Sequence, residues 1–220
     1  MATDIAVFDL RKYPALADGA SEAMAINLAG EKMSEFDLDQ LKVPAGGGTS
    51  WDVPTLEGAK AAKEVTGVMV NILRRRSYWA STDPSGDPPD CFSLDMEKGI
   101  GDPGGECESC PMNQFGSASN ERGKACKETR SIFLLREGDA LPIVVHVPPG
   151  SLLGLKKYLF QLAQQSVPYF TGISRLSLDQ DKNKDGIKFS KIAFEFVGRI
   201  DEEGVAAIRG YARRIGESVQ

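Results

Sequence analysis

All four cysteines of this 220-residue chain lie between Cys91 and Cys126, and that stretch limits most strongly what the chain can fold into. It reads Cys91, fifteen residues, Cys107-Glu108-Ser109-Cys110, fifteen residues, Cys126. Between the outer cysteines stand Gly99, Gly101, Gly104, Gly105, Gly116 and Gly123 with Pro103 and Pro111, a composition that cannot build its own apolar core. Such a segment needs a staple. The Cys107-x-x-Cys110 pair has the spacing of a metal knuckle, in which two thiolates of one turn reach the same tetrahedral ion, and Cys91 and Cys126 can complete the shell.

Other chemistries for these thiols carry specific requirements. Two disulfides need an oxidising compartment, whereas Met1–Asp18 has no apolar run following basic residues, as a secretory signal would. A redox Cys-x-x-Cys needs a lowered thiol pKa, and Glu106 and Glu108 beside Cys107 act in the opposite direction. Unligated, reduced cysteines are the remaining alternative, and the clustering speaks against it. The pattern favours a closed, structural Zn2+ site made by Cys91, Cys107, Cys110 and Cys126, because four thiolates leave no open position for a substrate.

Composition places few limits beyond a globular chain: 41% hydrophobic and 26% charged residues suit one sizeable domain with appendages or two small ones. No apolar stretch approaches the roughly 20 residues of a membrane span, so a soluble, intracellular protein with no membrane partner is expected. The net charge of −5 is local. Residues 1–60 carry five Lys and Arg against ten Asp and Glu; subtracting these from 26 and 31 leaves the other 160 residues balanced at 21 and 21. Two segments are basic: 120–136, with Arg122, Lys124, Lys127, Arg130 and Arg136, and 182–199, with Lys182, Lys184, Lys188, Lys191 and Arg199. A neutral total can therefore conceal a basic groove, although solvated charges on ordinary strands look the same.

Along the chain, residues 3–40 hold a helix-compatible patch from Ser21 to Leu28 but read as a loosely packed acidic arm. Pro44-Ala-Gly-Gly-Gly-Thr-Ser-Trp51 lacks the Lys-Ser/Thr pair of a phosphate loop and reads as a flexible linker, with Trp51 docking onto the next domain. Val65–Ser81 is rich in β-branched and aromatic residues and predicts a long strand, in which Arg74, Arg75 and Arg76 precede Tyr78 and Trp79. Pro84–Pro89 is a turn cluster, and Cys91–Leu94 a short strand. Arg130–Arg136 and Leu141–Val147 predict buried strands. Ser151 is expected to cap a helix to about Gln165 with Leu152, Leu155, Leu159 and Leu162 as its apolar stripe. A hairpin of Gly172–Gln180 and Ile187–Ile200 and a final helix, Glu202–Ile215, close the chain. Asp181, Asn183, Asp185 and Gly186 match half of a calcium loop, but Ile192 stands where that motif needs Glu, and strands flank it instead of helices.

Strands, a helix and a closing hairpin give an α+β, mainly β class and match the topology of an OB-fold-like barrel, here with a zinc-binding loop insertion and flanking helices. The expected organisation is an acidic arm and Gly-rich linker over residues 1–60, the OB-like domain over 61–200 with its insertion at 91–126, and a C-terminal helix over 201–220. Gly-Gly-Glu-Cys107-Glu-Ser-Cys110-Pro-Met-Asn-Gln-Phe115-Gly-Ser, followed by Gly123-Lys124-Ala-Cys126-Lys127, resembles bacteriophage single-stranded DNA-binding proteins of the OB type that carry a zinc-binding insertion. The resemblance covers roughly residues 64–200. It implies a non-enzymatic, cytoplasmic protein that coats unwound single-stranded DNA in replication or recombination alongside the proteins of those processes. The candidate phosphate contacts are Arg74, Arg75, Arg76, Arg122, Lys124, Lys127, Arg130 and Lys188; the candidate stacking rings are Tyr78, Trp79, Phe92 and Phe115.

Two other classes compete. A metal-dependent nuclease would use Asp87, Asp90, Asp95, Glu97 or Asp102, which show no pairing motif for two metal ions. A zinc-stabilised protein–protein adaptor would use the cysteine loop as its docking surface. The single histidine, His146, sits in an apolar strand run and reads as a core residue.

Overall fold

The computed structural model describes residues 9–16, 22–23, 26–29, 31, 34–81, 88–119, 121–184 and 186–218, apart from the side chains of Leu10 and Phe36. Ser21 and Met24 of the N-terminal helical patch, Pro84, Asp87 and Asp185 lie outside the described residues. The fold is mixed and mostly sheet. Its strands are β1 (Gln40–Leu41), β2 (Trp51–Val53), β3 (Lys60–Ala62), β4 (Glu64–Tyr78), β5 (Cys91–Ser93), β6 (Lys98–Gly101), β7 (Gly105–Glu106), β8 (Lys127–Leu135), β9 (Ile143–Val147), β10 (Gly172–Lys182) and β11 (Lys188–Arg199). The long helices are α1 (Pro149–Gln164) and α2 (Glu202–Ser218). The chain divides into two compact units, one of Met1–Ile72, Ile132–His146 and Leu153–Gln220, the other of Leu73–Ser131 and Val147–Leu152.

In the first unit the strand order is β1-β9-β8-β4, with β10 also on β4 and β11 on β10. β1 runs parallel to β9 (Gln40 opposite Val144), while β10 is antiparallel to both β4 (Ile173 opposite Val68) and β11. The apolar runs predicted as strands supply the core: Val68, Ile132, Phe133, Leu134, Leu135, Val144 and Val145 are fully buried, as β-branched and aromatic residues on a two-sided sheet should be. The predicted hairpin forms with its strands slightly longer than the pattern suggests.

The sheet does not close into a barrel, which corrects the OB-like barrel in its strict form. Among the described residues β1 bonds only β9 and β11 only β10, so neither end of the sheet finds the other. A glycine-bearing turn covers β11 in place of a strand: the Ser190 hydroxyl lies 2.8 Å from the carbonyls of Pro44 and of Gly48, and Gln180 Nε2 donates to Gly47 O at 2.8 Å. The segment read as a flexible linker is therefore pinned. Trp51 beyond it is fully buried, and its indole N–H donates to Leu176 O at 3.2 Å. The residues read as a loosely packed arm also bury Tyr13, Ala15 and Leu38. These lie in or directly beside three-residue 3-10 turns, elements too brief to leave a period in the sequence.

α1 starts two residues before the expected Ser151 cap, at Pro149, whose fixed φ suits a first helical turn. Leu155 and Leu162 are buried as expected, but Tyr158 shares the inner face with them while Leu159 is half-buried. The Tyr158 hydroxyl bonds Ser174 Oγ at 2.7 Å, satisfying the one polar atom that would oppose its burial. α2 buries Ile208, Tyr211 and Ile215, and Asp201 Oδ1 accepts the Gly204 N–H at 2.7 Å as its N-cap. His146 Nε2 meets Gln40 Oε1, a strand-to-strand contact in keeping with a structural histidine. Among the described residues no helix is long and apolar enough to cross a membrane.

Trp51→Ala removes a buried ring and its hydrogen bond, so a loss of about 3–5 kcal/mol is expected in a urea unfolding titration followed by circular dichroism.

Candidate functional site

The second unit contains every cysteine and is built around a short, edge-on meander of β5, β6 and β7. β5 pairs with the end of β4, setting Cys91 opposite Tyr78, and β6 pairs with β5, setting Gly101 opposite Cys91. β7 returns along β6 with Glu106 opposite Lys98, which delivers the chain to the Cys107 turn. Cys107 N–H then donates to Glu97 O at 2.7 Å, and Cys126 N–H to Met112 O at 2.8 Å. Two glycines are required by contact. A Cβ on Gly101 would stand 2.0 Å from Asp90 O, and one on Gly99 would stand 2.8 Å from Cys91 Sγ. The first lets β6 lie against β5; the second keeps the space into which the Cys91 sulfur projects.

Cys91, Cys107, Cys110 and Cys126 all line one cavity of about 10 Å³, close to the space taken by a single water-sized body. Arg76, Tyr78, Met112 and Asn113 line it as well. All four cysteines are free thiols, and Cys91 and Cys107 are buried. Burial pushes the Cys126 thiol up from its ordinary pKa; the nearby Arg76 guanidinium opposes that shift, and the other three sulfurs reinforce it. The sulfurs converge without forming a finished ligand cluster: among the described residues no group of three or more His, Cys, Asp or Glu stands ready to hold an ion. Each thiol turns about a single χ1 bond, so side-chain rotation alters the distances among the four sulfurs that line this cavity. A soft, all-sulfur donor set fits Zn2+ by its chemistry.

Beside the cysteines is a residue that sequence pattern alone does not single out. Asn113 is only 7% exposed; its Nδ2 donates to Cys107 O at 2.6 Å, and its Oδ1 accepts from Arg76 Nη1 at 2.6 Å and Lys124 Nζ at 3.1 Å. Its presence in Cys110-Pro-Met-Asn is visible, but not its partners, one of which lies 37 residues away. Lys124 also sits 5.0 Å from the centroid of the Phe115 ring, which is 82% exposed. An exposed aromatic face under a cation is a surface on which a flat, electron-rich or anionic ligand can rest.

The other candidate residues are distributed unevenly. Strand alternation puts Arg74 and Arg76 on one face of β4 and Arg75 on the opposite face. Arg74 and Arg130 both reach Glu128, at 3.4 and 3.7 Å, so an acidic residue occupies the space between two of the cations. Arg122 and Lys127 are exposed, and Lys127 Nζ donates to Lys124 O. Tyr78, Trp79 and Phe92 are half-buried. Lys188 belongs to the first unit, exposed at the start of β11.

Two of the carboxylates considered for metal-dependent hydrolysis, Asp90 and Asp95, have structural partners. Asp90 Oδ2 accepts the Ala80 N–H at 2.8 Å. Asp95 Oδ1 accepts from the Glu97 and Lys98 amides and the Ser93 hydroxyl, at 2.8, 2.9 and 2.9 Å. No protein-family model, curated protein or solved structure matches this chain.

The Lys98 and Glu97 amides hold the Asp95 carboxyl down at about 2. Its folded pKa thus lies below the unfolded value, so its contribution is complete above about pH 4 and is lost as pH falls toward 2. An amide-detected NMR titration should show Glu97 and Lys98 shifting over that window in the native protein, and no such transition in Asp95→Asn.

Proposed function

We propose that this protein binds single-stranded nucleic acid without strong sequence preference, in the manner of a coat for unwound DNA, and that Cys91, Cys107, Cys110 and Cys126 hold a structural Zn2+. The zinc supplies a cross-link for a loop with no core and takes no part in a reaction. The observation that carries this reading is the joining, in one compact unit, of four thiols around one cavity with an exposed aromatic ring and a group of cations. Arg74, Arg76, Arg122, Lys124, Lys127 and Arg130 meet phosphates, while Phe115, and Tyr78 beside the cavity, offer faces to bases. Glu128 competes with phosphate for Arg74 and Arg130, which moderates affinity and permits release.

The finer fold assignment is an open relative of the OB arrangement, in which a helix precedes the closing hairpin but the sheet ends stay apart. Together with the motif resemblance this supports a cytoplasmic role in phage replication or recombination, without enzymatic activity and in company with proteins of those processes. The scattered hydrogen-bonding duties of Asp90 and Asp95 weigh against a nuclease. A zinc-stabilised adaptor is favoured by one observation: Leu94 and Ile100, 51% and 57% exposed, lie on the same small unit as Phe115.

A titration of labelled single strands and of duplex at two salt concentrations, run beside zinc quantitation, separates these readings. Preferential, salt-sensitive single-strand binding by a zinc-loaded protein is expected, with the logarithm of affinity falling about 0.7 per phosphate contact for each decade of salt. Equal duplex affinity, or a protein without zinc, overturns the proposal, and salt-insensitive or absent DNA binding points to the adaptor. Phe115→Ala should weaken single-strand binding by about 1–3 kcal/mol in the same assay. Glu128→Gln should tighten it and steepen the salt dependence, since it removes the acidic competitor without touching a cation.

A further inference from the structure

Met112 and Asn113 bind the backbone of three of the four cysteines. Asn113 Nδ2 donates to Cys107 O at 2.6 Å, the Asn113 backbone N–H donates to Cys110 O at 3.0 Å, and Met112 O accepts from Cys126 N–H at 2.8 Å. On its other side Asn113 is equally committed. A primary amide oxygen has two lone pairs, and here both are taken by cations, Arg76 Nη1 and Lys124 Nζ. Two like charges converging on one neutral oxygen repel each other, and the amide does not cancel them. An aspartate at this position would. The arrangement therefore keeps two positive charges side by side and uncompensated by their shared partner, which is favourable once an anion joins them.

Arg76 and Lys124 open onto a cavity of about 540 Å³, lined also by Met96, Glu97, Glu106, Glu108, Asn113 and Gln114. The three glutamates repel an anion from the rest of that cavity, so the Arg76 and Lys124 end is the part that suits a phosphate. Lys124 is in turn the cation over the exposed Phe115 ring. A phosphate held by the pair would therefore belong to a nucleotide whose base is within reach of that ring.

Resting on the nucleic-acid reading above, we propose that Asn113 is a positioning residue that links the cysteine site to backbone binding: it holds Arg76 and Lys124 as a phosphate clamp whose anchor is the Cys107 carbonyl, and an ion held by the cysteines makes that anchor firm. Without the ion the Cys107 turn loses its cross-link, and the amide holds the two cations less firmly. The substrate feature read by this device is a phosphodiester of single-stranded nucleic acid.

The test uses the full chain, zinc-loaded and after chelation, with a labelled oligothymidylate and anisotropy at several salt concentrations. Chelation should weaken wild-type binding on the order of tenfold. Asn113→Ala, with its zinc retained, should bind about as weakly as chelated wild type. Its salt slope should be lower by about 1.4, the value for two phosphate contacts at about 0.7 each, and chelation should add little. Asn113→Asp should keep zinc yet bind more weakly still, because its carboxylate neutralises the clamp. Lys124→Gln, which keeps a long polar side chain at this half-buried position, should weaken the zinc-loaded protein more than the chelated protein. This variant decides the matter if Asn113→Ala fails to fold or loses zinc. The coupling is overturned if chelation leaves wild-type binding unchanged, if Asn113→Ala binds like wild type, or if Lys124→Gln costs the same with and without zinc. Wild-type protein that binds no oligothymidylate overturns the nucleic-acid reading itself and this inference with it, whereas binding that is indifferent to these variants overturns the inference alone.

Discussion

Between Cys91 and Cys126 the chain has almost nothing apolar to bury, so its shape is carried by backbone hydrogen bonds and by the convergence of four sulfurs. The β5–β6–β7 meander is made of strands two to four residues long, below the length at which strand pairing alone is stable. What holds it is local and polar: Asp95 collecting two amides and a hydroxyl, Cys107 bonded to Glu97, and Cys126 bonded to Met112. These bonds set the sulfurs around one small cavity. Lys124 and the exposed Phe115 belong to that loop, and Arg76 of β4 is tied to it through Asn113.

The two units solve the folding problem in opposite ways. The first buries long β-branched runs in a sheet and packs aromatic and aliphatic residues of α1 and α2 away from water, so its stability comes mainly from apolar area removed from solvent. The second depends on hydrogen bonds and on whatever its thiols hold, and a bound ion stabilises such a site in proportion to its affinity. Perturbing the cysteine site should therefore be felt in the small unit and in the side chains tied to it, while the buried sheet of the first unit has its own source of stability.

Charge in the second unit is arranged in competition. Glu128 spans Arg74 and Arg130, whereas Arg76 and Lys124 meet at a neutral amide. One pair shares a carboxylate and the other an uncharged oxygen. Under the proposed function, the pair bound to Glu128 would limit affinity for a polyanion, and the pair at Asn113 would supply a fixed point of attachment.

The linear pattern of residues determined the elements that have a strong period. The β4, β8 and β9 runs, the α1 and α2 stripes and the β10–β11 hairpin were legible because alternation, helical spacing and turn residues are local signals. The cysteine spacing likewise singled out four residues that the fold gathers at one cavity. What the sequence could not show depends on contacts between distant positions. Trp51 donates to Leu176 across 125 residues, and the Gly-rich segment meets β11 across 142 and 146 residues, so a stretch that reads as a linker becomes a covering turn. The open sheet has the same cause, since pairing between its ends leaves no mark on either strand alone. Asn113 is the clearest instance in the candidate site. Its amide is one polar residue among many in a loop, and only the tertiary structure, by bringing Arg76 and Lys124 to one oxygen and the Cys107 carbonyl to the other end, gives it a role.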